Sequence, residues 1–286
     1  MNKKTALILG VSKVNPQYYA GWEGKLKQPE QDALSFKMIA DEYGFSSTMM
    51  LTEEVTRDNV ILSIRNTSSI IDANDLFLIY YSGHGGQIPA AEDDDEPDGL
   101  SETWCLYDRC LIDKELSVLW GEFKKGAKIV FISDSCHSET VAIGNKKPWI
   151  SFFKPENYII RKFIPKREPS SAIETAYLKD KDFYESINQQ LSQNPRKEIL
   201  AEVMTLAGCK DSQSSYALVG AKYSVFTDCI HESLKYFKDR GEKATYVQLM
   251  DHLQMYIPQK LYNKQTPVIS FHNNNQAIKN DTIFGS

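Results

Sequence analysis

The 286-residue sequence predicts an α/β protein built on a mainly parallel sheet with helices on both faces. Three observations predict it. Short apolar runs rich in β-branched and aromatic residues recur along the chain, segments of helical periodicity separate most of them, and 42% hydrophobic residues can fill the core of one large domain. Parallel neighbours need a crossover between them, and a helix is the usual one. Such sheets bind ligands just beyond the carboxyl ends of their strands, so the residues that follow each strand carry the most information.

The elements follow in order. "TALILGV" (5–11) reads as the first strand, and "EQDALSFKMIADEYG" as a helix with apolar residues at 33, 34, 36, 38, 39 and 43 that ends at Gly44. "TMMLT" (48–52) is the second strand, followed by "TRDNVILSIRNTSSII", which begins with a Thr cap and repeats apolar positions at helical spacing. "DLFLIYY" (75–81), "AKIVFIS" (127–133), "AEVMTLAG" (201–208) and "TPVISFH" (266–272) complete six strands. Two more helices, 223–239 and 245–257, lie between the last two strands. From Ser138 to about Asn194 the rhythm breaks at "GNKKPW", "FKPEN", "FIPKREPSS" and "QNP", which reads as a long connector with one helix near 174–191.

Composition excludes several classes. A net charge of −5 without a basic tail or stripe argues against a nucleic-acid surface. The apolar run of "MNKKTALILGVSKV" stops after Val11, so it is expected to be a strand rather than a signal peptide. No run approaches the roughly 18 apolar residues that cross a bilayer, so no membrane role and a cytoplasmic location are expected. Cys105, Cys110, Cys136, Cys209 and Cys229 are odd in number and lack CxxC spacing, which points to reduced thiols rather than a disulfide framework or structural zinc.

Chemistry concentrates at two strand ends. "LIYYSGHGGQ" (78–87) ends the third strand on His84, and "IVFISDSCHSE" (129–139) ends the fourth on Cys136. Parallel neighbours bring both to one rim. A thiol ionises near pH 8.5 in isolation, and a facing imidazole makes it a nucleophile at neutral pH. The N–H groups of Gly85 and Cys136 are candidate donors to a developing oxyanion, and Gly83, Gly85 and Gly86 leave room for a substrate backbone. The plainer alternatives are a structural histidine after a strand and a cysteine serving as a small hydrophobe. His137 next to Cys136 points elsewhere in an extended chain and reads as a structural hydrogen-bonder. A metal site from His84, Cys136 and His137 lacks a fourth ligand at recognisable spacing, so none is assigned.

"YYSGHGG" followed by "ISDSCHS" resembles the caspase-like cysteine peptidases, nearest the metacaspase and bacterial orthocaspase branch. His84 and Cys136 are 136 − 84 = 52 residues apart, against about 50 in caspases. The Gln-Ala-Cys context of animal caspases is replaced by Asp134-Ser135-Cys136. "LKQPEQDA", "GCKDSQSSYAL" and "QTPVISF" also look like family segments, so the resemblance covers about 5–138 and 200–272. It implies a caspase-like three-layer sandwich on a six-stranded, mostly parallel sheet. It further implies His84 as base and acid, Cys136 as nucleophile, and Gly85 with Cys136 as oxyanion donors. The whole chain, 1–286, is then one peptidase domain: a catalytic half 1–138, a connector 139–199 and a substrate-groove half 200–286.

Metacaspases are similar to one another in cutting after Arg or Lys. The acids implied for that pocket are Asp134 and Asp32, with Ser82 beside them, and two carboxylates suit the planar fork of a guanidinium. The plainer readings are that Asp32 favours its helix dipole and Asp134 accepts N–H bonds at a strand end. Pro29 and Gln31 stand where the family has Cys and Asn, and Glu139 where it usually has Gly. No cofactor is expected. "AEDDDEPDG" (91–99) reads as a solvated loop; calcium is its functional alternative, but the spacing is not that of an EF-hand. After Cys136 only Glu139 is available in "ETVAIGNKKPW", so calcium is expected to be dispensable.

The basic pairs Lys146-Lys147, Arg161-Lys162 and Lys166-Arg167 are candidate self-cutting sites, or ordinary surface residues. The expected partner is a protein or peptide substrate, reached through a partner or operon neighbour in bacterial stress or defence. A monomer is favoured over a dimer, although animal caspases pair through their last strand. The competing readings are a catalytically silent binding scaffold, a peptidase of different first-residue specificity, and another hydrolase on a similar sheet.

Overall fold

A computed structural model describes residues 2–90, 99–135, 163–165, 170–193, 197–210, 213–272 and 277–285. Cys136, His137, Glu139, the acidic run 91–98 and all three basic pairs lie outside the described residues.

The strands are β1 (Lys4–Gly10), β2 (Ser46–Leu51), β3 (Leu76–Ser82), β4 (Gly85–Pro89), β5 (Leu100–Cys105), β6 (Cys110–Ile112), β7 (Lys128–Asp134), β8 (Phe163–Pro165), β9 (Glu202–Ala207), β10 (Tyr216–Leu218) and β11 (Val268–Phe271). The helices are α1 (Pro29–Glu42), α2 (Arg57–Ile70), α3 (Asp113–Trp120), α4 (Ser170–Lys179), α5 (Lys181–Gln193), α6 (Val225–Asp239) and α7 (Tyr246–Lys260). All six sequence-predicted strands share one sheet in the order β11-β9-β7-β3-β1-β2. Every pairing in it is parallel except β11 with β9. "TPVISFH" therefore supplies an antiparallel edge strand.

The sheet is buried on both faces, as a mostly parallel sheet has to be. Leu7, Leu9, Phe77, Ile79, Ile129 and Phe131 face a core completed by α2, α3, α4 and α5. Their sequence neighbours Ala6, Ile8, Leu78, Val130 and Ile132 face the other core, made with α1, α6 and α7. The helix boundaries obey local chemistry. Thr56 caps α2 by accepting the Asn59 N–H at 3.3 Å. Gly44 follows α1 at φ +77°, a left-handed turn that costs glycine little.

Three features depart from the sequence reading. A separate antiparallel sheet β4-β5-β6 and the helix α3 follow β3 directly. These pieces are short, and the acidic run between β4 and β5 obscures their alternation. The helix expected near 174–191 is two helices broken at Asp180, whose N–H turns back to Ala176 and Tyr177. Ile173, Ala176, Tyr177, Tyr184 and Ile187 pack into the core shared with α2 and α3, so this part of the connector is structural. Among the described residues no helix is long and apolar enough to cross a membrane. The described cysteines, Cys105, Cys110, Cys209 and Cys229, are buried and form no disulfide.

Candidate active site

β3 and β7 are parallel neighbours, and their last paired residues are Ser82 and Asp134. That pair has the same offset as His84 and Cys136, each two residues further on. Ser135, the last described residue before Cys136, is fully buried. Its Oγ lies 2.9 Å from Ser133 Oγ, and its carbonyl accepts the Cys209 thiol at 3.4 Å.

His84 is nearly buried, at 3% exposure, and is gripped from several sides. Its Nε2 lies 3.1 Å from the Gly24 carbonyl. A carbonyl only accepts, so this pairing puts the ring hydrogen on Nε2 and leaves the lone pair on Nδ1. The Trp22 ring lies against the imidazole with centroids 5.0 Å apart. Gly24 takes φ +51° directly over that indole, where a Cβ would come within 2.7 Å of the ring, so no other residue fits this turn without strain. The His84 carbonyl accepts the Cys105 N–H at 3.0 Å and the Tyr81 hydroxyl at 2.8 Å. Burial raises the Tyr81 phenol well above its ordinary range, so it stays a donor.

Gly85 starts β4 opposite Trp104. The Cys105 N–H bonds the His84 carbonyl and the Ala90 N–H bonds the Gly99 carbonyl, so alternation along the ladder makes Gly85–Trp104 a non-bonded pair. The Gly85 N–H therefore points to the side of β4 away from β5. Gly83 and Gly86 correct the sequence reading. A Cβ on Gly83 would meet the Tyr81 hydroxyl at 2.5 Å, and one on Gly86 would meet Ile173 at 2.1 Å. Their smallness accommodates the protein's own side chains.

Asp32 and Asp134 are both completely buried and meet at the start of α6. Asp134 accepts the hydroxyls of Ser215 (2.6 Å), Thr227 (2.8 Å) and Ser224. Asp32 accepts the Ser82 hydroxyl at 2.8 Å and the Ser224 N–H at 2.9 Å. Ser224 thus bridges the two acids from the N-cap of α6, and its side chain serves Asp134 instead of the helix. The partial positive charge of a helix N-terminus and charge-assisted hydrogen bonds make two buried carboxylates tolerable there. Tyr80 lies 2.5 Å from Thr227 Oγ1, and burial, then the charges of Asp32 and Asp134, raise its phenol well above the ordinary range. Asp32, Asp134 and Ser82 therefore form one cluster at the rim that carries His84.

A family model described as the caspase domain matches residues 3–278. The chain belongs to the caspase domain family. Among curated relatives, this caspase-domain chain is 30% identical to Metacaspase-1 of Saccharomyces cerevisiae over 154 residues, which are 49% of this chain and 34% of the relative. It is 28% identical to Metacaspase-4 of Arabidopsis thaliana over 145 residues, 47% of this chain and 33% of that one. The matched stretch is thus about a third of the length of these relatives. The crystal structure of protein GSU0716 from Geobacter sulfurreducens superposes with a TM-score of 0.78 at 32% identity, covering 99% of this chain and 98% of that one.

Sequence reasoning missed the Gly24 carbonyl, Trp22, and the hydroxyls of Ser215, Ser224 and Thr227. A backbone carbonyl leaves no mark in a sequence. Ser215 sits inside the quoted "GCKDSQSSYAL", and Ser224 and Thr227 lie within the segment 223–239 read only as a helix.

Proposed function

We propose that this caspase-domain chain is a cysteine endopeptidase that cuts protein substrates after Arg or Lys. The observation that carries this reading is the β3–β7 register, because an offset that opposes Ser82 to Asp134 also suits His84 and Cys136 as partners. In the proposed course His84 takes the Cys136 proton and the thiolate attacks the carbonyl of the Arg or Lys residue. The Gly85 and Cys136 N–H groups hold the oxyanion, and His84 returns its proton to the departing amine. Water activated by His84 then releases the acyl group from Cys136. Gly24 and Trp22 position the imidazole. Asp32, Asp134 and Ser82 form the floor that receives the basic side chain, with Ser224 holding both acids in place.

The test is a panel of fluorogenic peptides that differ only in Arg, Lys or Asp before the cut, run with calcium and with chelator. Turnover after Arg and Lys, absent in Cys136→Ala and equal in both buffers, is expected. Cutting after Asp would overturn the specificity, calcium-dependent turnover would overturn the metal-free course, and silence across the panel would leave a binding scaffold. The natural substrate is proposed to be a protein presented by a partner or operon neighbour.

A further inference from the structure

β5 and β6 form a hairpin that turns at Tyr107 and Asp108, where the Leu106 N–H donates to the Arg109 carbonyl at 3.1 Å. Cys105 stands directly opposite Cys110 in that ladder. Bonded and non-bonded pairs alternate along antiparallel strands, so the two cysteines occupy a non-bonded pair. Their backbone donors agree. The Cys105 N–H goes to the His84 carbonyl and the Cys110 N–H to the Tyr184 hydroxyl, each at 3.0 Å. Residues opposed at such a position have Cα atoms about 4.5 Å apart and side chains on one face of the sheet. Disulfides span Cα separations of about 4.4–6.8 Å. The backbone thus holds two reduced thiols within bridging range.

The surroundings favour chemistry at Cys110. Both side chains are buried, and the hydrogen bond from the Cys105 thiol, ahead of the opposing effect of burial, holds the Cys110 thiol below its ordinary pKa. The Tyr19 hydroxyl lies 3.8 Å from the Cys110 sulfur. Burial raises the Tyr19 and Tyr184 phenols well above their ordinary range, so both keep their protons beside a thiolate. Two other described thiols differ. Burial pushes Cys229 up to about 12, and the Cys209 thiol donates to the carbonyls of Ser135 and Gln213. A readily ionised thiol beside a second thiol is the arrangement in which a sulfenic acid is resolved to a disulfide.

The pair is tied to the candidate base. The Tyr81 hydroxyl lies 2.8 Å from the His84 carbonyl and 3.0 Å from the Cys105 carbonyl. Tyr19, against Cys110, meets Trp22 edge-on, and Trp22 packs on the imidazole.

We propose that Cys105 and Cys110 are a reversible oxidation site, a dithiol at rest that hydrogen peroxide closes to a disulfide on the hairpin bonded to the His84 carbonyl. The Cys110 thiolate attacks one peroxide oxygen, and the O–O bond breaks. Hydroxide leaves and takes up the proton that Cys110 released, and Cys110 becomes a sulfenic acid. The Cys105 sulfur then attacks the Cys110 sulfur. The S–O bond breaks, and the sulfenic hydroxyl leaves as water with the Cys105 proton. The two sulfurs lose two electrons, and one peroxide becomes two waters. A dithiol reductant reverses the closure by exchange and is itself oxidised to a disulfide. The site involves no residue of the proposed cutting chemistry, so it stands independently of the peptidase reading.

The full chain carrying Cys136→Ala, which removes the overlapping reaction of that thiol, is exposed to hydrogen peroxide under native conditions, alkylated in denaturant and read by intact-mass spectrometry. The monomer is expected to lose the mass of two hydrogen atoms, at a rate independent of chain concentration, and to regain it in dithiothreitol. Trypsin cuts after Arg109, between the two cysteines, so the disulfide should join peptides 66–109 and 110–114. Adding Cys105→Ser should abolish this bond and leave Cys110 as a sulfenic or sulfinic acid. Four results overturn the inference: both cysteines still alkylated, sulfinic acid at Cys110 with Cys105 still a thiol, a disulfide to another cysteine or another chain, or closure only after circular dichroism shows unfolding. All four are read from the chain with both cysteines present, so the test holds even where Cys105→Ser does not fold.

Discussion

At the carboxyl end of the sheet, Asp32 and Asp134 are completely buried and held by Ser82, Ser215, Ser224 and Thr227. At the amino end, Lys128 Nζ meets Asp281 at 2.6 Å with the two side chains 25% and 39% exposed. Both ends carry carboxylates, in opposite physical regimes. Burying a carboxylate costs several kcal/mol of solvation, which hydrogen bonds return only in part. A half-exposed ion pair keeps most of its water and contributes about 0–1 kcal/mol. The carboxyl end thus holds two completely buried carboxylates side by side, while the Lys128–Asp281 pair stays in contact with water.

The comparison breaks first at Asp134. Asp134→Asn keeps the side chain's shape and removes its charge. If the carboxyl end receives a basic side chain, kcat/KM for an Arg peptide should fall by about 30-fold or more, since losing one partner of a buried charge pair costs roughly 2–5 kcal/mol. Steady-state kinetics within threefold of wild type would remove Asp134 from the pocket. The amino end should respond far less. Asp281→Asn is expected to shift unfolding free energy by no more than about 1 kcal/mol and to leave kcat/KM unchanged, as measured by denaturant titration and the same peptide assay.

The smallest effect lies on α6, whose first turn holds the acids. His231 stacks on Tyr223, the residue before Ser224, and burial lowers its pKa from 6.5 despite the opposing pull of Asp228 and Glu42. The folded chain therefore binds this proton less readily than the unfolded chain. Its contribution is present above pH 6.5 and is lost as pH falls through the lowered value. His231→Gln should flatten the decline in thermal midpoint between pH 7 and pH 5. An unchanged slope would assign that decline to other groups.

Much of this was legible from residue types. The six strands announced themselves because a sheet covered on both faces needs continuous apolar runs, as in "LFLIYYS". His84 and Cys136 could be paired as an expectation because strand ends in a parallel sheet share a rim, and the β3–β7 neighbourhood on which that expectation rests is present. Less legible were β4, β5 and β6, whose runs are too short for a period to emerge. Gly83 and Gly86 were misread because a glycine's neighbour is a tertiary fact: Tyr81 and Ile173 fill the space once assigned to substrate.

The sequence by itself determined the layered α/β architecture, the strand order of chemistry along the chain, and the placing of His84 beyond a buried strand. These follow from local periodicity and from the rule that parallel strands need crossovers. Only the tertiary structure decided that Asp32 and Asp134 share one bridging serine, 192 and 90 residues away, and that β8 lies along β10. Hydrogen bonds between distant residues leave no periodic trace in a chain, because their energy depends on three-dimensional meeting and not on spacing.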